Sequence, residues 1–353
     1  INIVATEGVA FDGVASFASI GQRDRISRAA VIAGRDITGN GGSLTITTPF
    51  LSLTNGGQLT AQTDGAGNAG NIKLNVSGTL LLDGVGSGVL ANTVVGSTGN
   101  GGSIDVDPEI VRIRNGARIA VDSKGTGVAG NITVRAGSLL LTNNGLISAE
   151  TFSNTGGNIF LWVRDALAMR NNSRISTSAG TAGAGGDGGN VTIRTSFLVA
   201  APNENSDITA NAFTGRGGRV DITAEGVFGF RVLSRVQLET LLGTRDPNLL
   251  NPALLPSSDI TAISQVNPNL DGVVTVRSPD VDPSRGAVAL PSAIVDASRL
   301  IARDCSAGGT LARNLGSLTV TGQGGLPPSP SDQLQGGSLL IGWENLDDSA
   351  RNQ

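Results

Sequence analysis

The chain has 353 residues, of which 51 are Gly, nine are Phe and two are Trp, with no Tyr and no His. Without imidazole, Ser-His-Asp and Cys-His triads, imidazole-dependent metal sites and histidine pH switches are excluded, which leaves carboxylate, Arg or hydroxyl chemistry, or none. A formal charge of −4 and a pI near 5.0 argue against nucleic acid as a partner, since phosphate neutralisation needs a basic face.

The cations are nearly all Arg, Lys73 and Lys124 being the only lysines. A single Cys305 has no internal disulfide partner, so stability must come from packing and backbone pairing. No run of about 18 apolar residues exists, so no helical membrane span is expected. The opening Ile1-Asn2-Ile3 lacks Met, a basic region and an apolar core, and reads as a start inside a longer polypeptide whose export signal, if exported, lies upstream.

A module of the form Gly-Asn/Gly-x-apolar-x-apolar recurs along the chain. Its anchors are Leu44/Ile46, Ile72/Leu74, Ile104/Val106, Ile132/Val134, Ile159/Leu161, Val191/Ile193, Val220/Ile222 and Val274/Val276. The steps between first anchors are 28, 32, 28, 27, 32 and 29 residues and then 54, so an insertion is expected in the last. Ile1 and Ile3 extend the series backwards, followed by Phe11-Asp12-Gly13 as strand and turn and a long loop from Val14 to Val31.

A second alternating run follows each anchor by about seven residues, as in Leu51-Ser52-Leu53, Leu80-Leu81-Leu82, Val111-Arg112-Ile113, Leu139-Leu140-Leu141 and Leu167-Ala168-Met169. Asn55-Gly56, Asp83-Gly84, Asn115-Gly116, Asn143-Asn144 and Asn171-Asn172 then mark turns that tolerate positive φ. A third short strand is expected to point Leu59, Leu90, Ile119, Ile147, Ile175, Ile208 and Ile260 inward.

Because equivalent positions are alike rather than mirrored, the three strands of each module are expected to stack in parallel on those of the next. The fold class predicted is all-β, a right-handed parallel β-helix (β-solenoid) over residues 1–277, with eight or nine coils and a length on the order of 40 Å. The insertion at 229–257 carries an amphipathic run, Arg231 to Leu242, that suits one short helix, with Pro247, Pro252 and Pro256 after it. Residues 278–353 are non-repetitive and Pro-rich, and are expected to form a C-terminal cap or docking segment over an otherwise bare strand edge.

The repeats from Gly39-Asn40-Gly41-Gly42-Ser43-Leu44 and from Gly70-Asn71 resemble those of filamentous-haemagglutinin-type exoproteins of two-partner secretion systems. Pro279-Asp280-Val281-Asp282-Pro283-Ser284-Arg285-Gly286, Val295-Asp296, Cys305 and Thr321-Gly322-Gln323-Gly324-Gly325-Leu326-Pro327-Pro328-Ser329-Pro330 resemble the C-terminal signature of the cyanobacterial branch. The resemblance covers essentially the whole chain. It implies a secreted, cell-surface structural or adhesive protein, the C-terminal portion of a larger exoprotein, exported through an outer-membrane transporter. It supplies no catalytic residues and no cofactor. The expected partners are a second copy of the chain, in fibres or layers, and cell-surface polysaccharide.

Candidate sites are few. Arg114 and Arg170 occupy equivalent positions two coils apart, as do Arg118 and Arg174, so stacking could set four guanidinium groups on one outer face for an anionic glycan; a solvated face offset by Asp105, Asp122 or Asp165 is the alternative. Parallel β-helices also carry polysaccharide lyases and hydrolases. Here the one tight acidic cluster, Asp105, Asp107 and Glu109, points outward from a smooth rod with no cleft to perturb it, and no enzyme is expected. Gly185-Gly186-Asp187-Gly188-Gly189 loosely resembles a calcium-binding loop but occurs once, so no metal site is expected. Cys305 reads as a structural thiol. Trp162 and Trp343 read as packing residues, one under a loop and one in the cap.

Overall fold

A computed structural model describes residues 1–13, 28–30 and 38–279. Of the expected loop from Val14 to Val31 the described part, Arg28–Ala30, is a strand rather than loop. The rest of that segment, the C-terminal cap beyond residue 279, Cys305 and Trp343 lie outside the described residues.

The protein is an all-β parallel β-helix. Its strands form two sheets in which neighbouring strands are parallel and one module apart in sequence, except for one exchange at the insertion. The long sheet stacks Asn2–Val4 with Val9–Asp12, then Leu44–Thr54, Ile72–Asp83, Ile104–Val106 with Ile110–Arg114, Ile132–Thr142, Ile159–Met169, Asn190–Ala200, Arg219–Phe228 and Val273–Arg277. The short sheet stacks three- and four-residue strands from Arg28–Ala30 to Ser258–Thr261.

The expected anchors fall into one column: Ile46 pairs with Leu74, Leu74 with Val106, Val106 with Val134, Val134 with Leu161, Leu161 with Ile193, Ile193 with Ile222 and Ile222 with Val276. Leu51, Leu80, Val111, Leu139, Leu167 and Leu198 form a second column. Apart from Val276, these side chains are buried and belong to one continuous core, so each apolar residue is covered by its own counterparts above and below.

Four details differ from the sequence reading. In six modules the first two runs are one strand of ten to twelve residues rather than two; they stay separate in the first module, Asn2–Val4 and Val9–Asp12, and at Pro108. Each long strand bends where its inward phase changes, from Leu44 and Ile46 to Leu51 and Leu53, and the register shifts at the bend, between Thr48 and Phe50, between Ala136 and Ser138, and between Val163 and Ala166. In the third column the partner of Leu59 and Ile119 is Val89, not Leu90, although both are buried.

The fourth difference is the insertion. It contains a strand, Phe230–Val232, which pairs outside Ser258–Thr261, so the later strand lies between Asp207–Thr209 and the earlier one. The expected helix is present as Arg235–Leu242. Ser234 and Gln237 form a reciprocal capping box, and the helix ends at Gly243 with φ 66°, four residues before Pro247. Pro247 and Pro252 instead open two short 3-10 turns. Leu233, Leu238, Leu250, Leu255 and Ile263 bury one another beneath the insertion.

A glycine column explains much of the composition. At Gly70, Gly102, Gly130, Gly157, Gly189, Gly218 and Gly272 an added Cβ would overlap the carbonyl oxygen of the equivalent glycine one coil earlier. Coils therefore approach at this corner more closely than any side chain allows. Beside it an amide ladder supplies corner hydrogen bonds: the Asn131 Oδ1 accepts from the Asn158 backbone N–H, and the Asn158 Oδ1 from that of Asn190.

Candidate functional site

The bend of the long sheet carries a groove of about 850 Å³ on its outer surface, lined on one side by Arg135, Trp162 and Arg194 and across the bend by Glu109, Arg164 and Ser196. A smaller stretch of about 350 Å³, lined by Ala5, Thr47, Pro49, Asn75, Ser77 and Asp107, adjoins it at Ser77 and Asp107. From Ala5 to Arg194 the groove crosses seven rungs, about 30 Å along the axis at the usual strand spacing.

The side chains on one wall form a single outward column. Arg135 is the register partner of Trp162, and Trp162 of Arg194, so Trp162 stands on the rung between the two arginines. The Arg135 Cζ lies 4.6 Å from the indole centroid, a cation-π contact. Phe160, two residues back on the same strand, has its ring centroid 6.3 Å from that of Trp162. Trp162 is 37% exposed, so it packs against Arg135 and Phe160 and still presents part of its ring to solvent.

Charges along the groove divide into committed and free groups. Arg135 donates to Asp105 at 2.9 Å, and Arg164 bridges Glu109 and Asp165, whose hydrogen bonds, that of Glu109 first, push the guanidinium pKa further up. Among the described residues Arg194 and Asp107 have no hydrogen-bonding or ion-pair partner for their side chains, and both are exposed. The acidic cluster Asp105, Asp107 and Glu109 therefore borders a groove, contrary to the smooth rod expected. Two of its three carboxylates are already neutralised by Arg.

The four arginines singled out in the sequence do not form one free patch. Arg114 and Arg170 keep their equivalent positions through Thr142, but Arg114 pairs with Asp83 at 2.7 Å and Arg170 forms a forked pair with Glu204. Those bonds hold the Glu204 carboxyl below the usual range. Arg118 and Arg174 are equivalent through Leu146 but stand on the short sheet, beyond the Asn turns. There burial pushes up the neighbouring carboxyls of Asp122 and Glu150, and the Asp122 charge raises Glu150 further. Both keep some accessible surface, yet sit among enough neighbouring atoms for desolvation to dominate.

Asp187 of the glycine-rich loop serves the stack: its Oδ1 accepts from the Arg216 backbone N–H at 2.7 Å and its carbonyl from that of Gly156. Among the described residues no group of three acidic or thiol side chains could hold a metal, and no helix is long and apolar enough to cross a membrane.

The Trp162 ladder was legible in the repeat. The residue after the second anchor is outward in every module, and reading that position down the chain gives Thr47, Asn75, Asp107, Arg135, Trp162, Arg194, Thr223 and Arg277. No protein-family model, curated protein or solved structure matches the chain.

Proposed function

We propose that this β-helix is a surface-exposed attachment rod that holds an acidic, linear polysaccharide along its axial groove. The single observation that supports it is the placement of Trp162 between Arg135 and Arg194 in an open groove that runs with the axis. An indole face takes the apolar face of a pyranose ring, and a free guanidinium takes a uronate carboxylate by a forked pair of hydrogen bonds. Rungs about 4.8 Å apart repeat at close to the length of one pyranose unit, so a chain laid along the axis advances about one sugar per rung.

The reading is one of holding rather than cutting. Glu109 is tied to Arg164 and Asp105 to Arg135, which leaves Asp107 as the one uncommitted carboxylate of the cluster. Acid-base cleavage of a glycoside draws on a pair. Secretion, display at the cell surface and lateral association between rods belong to the same proposal; the exposed Phe197 and Phe228, whose rings lie 6.4 Å apart, favour the last.

The test is retention on immobilised polygalacturonate against dextran. Salt-sensitive binding to the first alone, weakened about tenfold in Trp162→Ala and also weakened in Arg194→Gln, is the expected result. Equal binding to dextran, or full retention in Trp162→Ala, overturns the proposal, and new reducing or unsaturated chain ends would replace holding with catalysis.

A further inference from the structure

The short sheet carries a second concavity, on a different sheet from the groove and independent of it. A pocket of about 350 Å³ has its floor on the outer face of that sheet, at Glu150, Arg174, Ser178, Thr209 and Asn211. Asn248 and Asn251 from the insertion, with Gln265, form one wall, and the corner Gly180–Gly183 with Phe213 forms the other.

The walls are fixed by structure outside the pocket. The insertion is anchored by the Leu233, Leu238, Leu250, Leu255 and Ile263 cluster, and by a buried Arg235 that donates to Glu239 at 2.7 Å and to the Ser264 carbonyl. Asn251 caps a 3-10 turn by accepting from the Ala253 N–H, while Gln265 donates to the Leu250 carbonyl. On the floor, Asn211 accepts from the Ile263 N–H at 2.9 Å, and the hydroxyl oxygens of Ser176, Ser178 and Thr209 lie within 3.2 Å of one another.

Each of these bonds uses one end of an amide and leaves the other. The NH2 groups of Asn211 and Asn251 remain as donors and the Oε1 of Gln265 as an acceptor. Glu150 takes the Ser176 hydroxyl on one carboxyl oxygen and keeps the second. Arg174 is flanked by the carboxyls of Glu150 and Asp207 but is bonded to neither. Donors and acceptors in near-equal number suit hydroxyl groups, which do both. One aromatic wall, Phe213, suits the apolar face of a ring. The volume is at the small end for ligand sites and admits one sugar residue rather than a chain.

We propose that this pocket binds a single carboxylated monosaccharide, with its carboxylate on Arg174 and its hydroxyls on Asn211, Asn251, Gln265 and Glu150. Burial above all, with the Asp122 charge, raises the Glu150 pKa, against the lowering effect of the Ser176 hydroxyl and of Arg174.

Ligand-observed NMR and calorimetry with D-galacturonate and D-galactose test this on the full chain. Galacturonate is expected to bind, galactose at least tenfold more weakly, and Arg174→Gln to weaken galacturonate at least tenfold. Thr181→Trp, at the exposed rim, should block the mouth without touching the core, and it decides the question if Arg174→Gln does not fold. Trp162→Ala should leave monosaccharide binding unchanged, which separates this pocket from the groove. No galacturonate binding by the folded protein, equal binding of galactose, or binding that survives Arg174→Gln or Thr181→Trp overturns the proposal.

Discussion

Arg135 and Trp162 are register partners on adjacent rungs, with the guanidinium carbon 4.6 Å from the centre of the indole ring. Arg135 and Phe160 cover most of the indole and leave 37% of the residue exposed to a ligand, so removing it should cost both binding and some stability. Trp162→Ala is expected to lower affinity for polygalacturonate about tenfold and unfolding free energy by roughly 1–3 kcal/mol, the chain staying folded. Binding isotherms and urea melts on the same preparations check both parts.

The glycine column makes a sharper stability prediction. Gly130→Ala places a methyl on the Gly102 carbonyl oxygen and is expected to cost about 3 kcal/mol or more, or to prevent folding. Gly185→Ala is the control: its added Cβ would meet only the Thr214 hydroxyl at 3.8 Å, and it should be within about 0.5 kcal/mol of the parent. Equal melting temperatures for the two would contradict the close stacking of the coils.

Arg114 and Arg170 are committed to Asp83 and Glu204, and each is nearly half exposed. The double change Arg114→Ala with Arg170→Ala is therefore expected to leave polygalacturonate binding unchanged, and to cost only about 1 kcal/mol per pair. A large loss of binding in a folded double variant would return the site to the end of the long sheet.

Titration of the short sheet has a definite sign. Burial above all, with the Asp259 charge added, pushes the Asp207 carboxyl up to about 7 from an unfolded value of 3.8. The folded chain thus keeps a proton that the unfolded chain releases. Its stabilising effect is full below about pH 4 and is lost as pH rises through 7, a difference of up to roughly 4 kcal/mol. Asp207→Asn keeps the acceptor for the Asp259 N–H and removes the charge. It should raise the melting temperature at pH 8 and change it little at pH 4, where a fall at both would contradict the assignment.

Much of the fold was readable because a β-helix repeats one environment many times. Leu44, Ile72, Ile104 and Ile132 each report the same buried position, so spacing alone set the register that the strand pairs display. Val89 and Leu90 were interchanged because both are apolar and both are buried, so hydropathy does not distinguish them. The exchanged strands of the insertion were not legible, since Phe230–Val232 carries no repeat signature and its place depends on how the intervening 25 residues return. The groove was missed because the inward phase changes within one continuous strand, from Leu161 to Leu167 and from Ile193 to Leu198, and two separate strands were expected there.

Intrinsic fluorescence of a Trp343→Phe variant, in which Trp162 is the sole tryptophan, tests the central claim most directly. Titration with polygalacturonate should give a saturable change in the indole emission that salt reverses and dextran does not produce. An indole that stays silent while the polymer binds would show that the chain lies elsewhere and would contradict the axial groove.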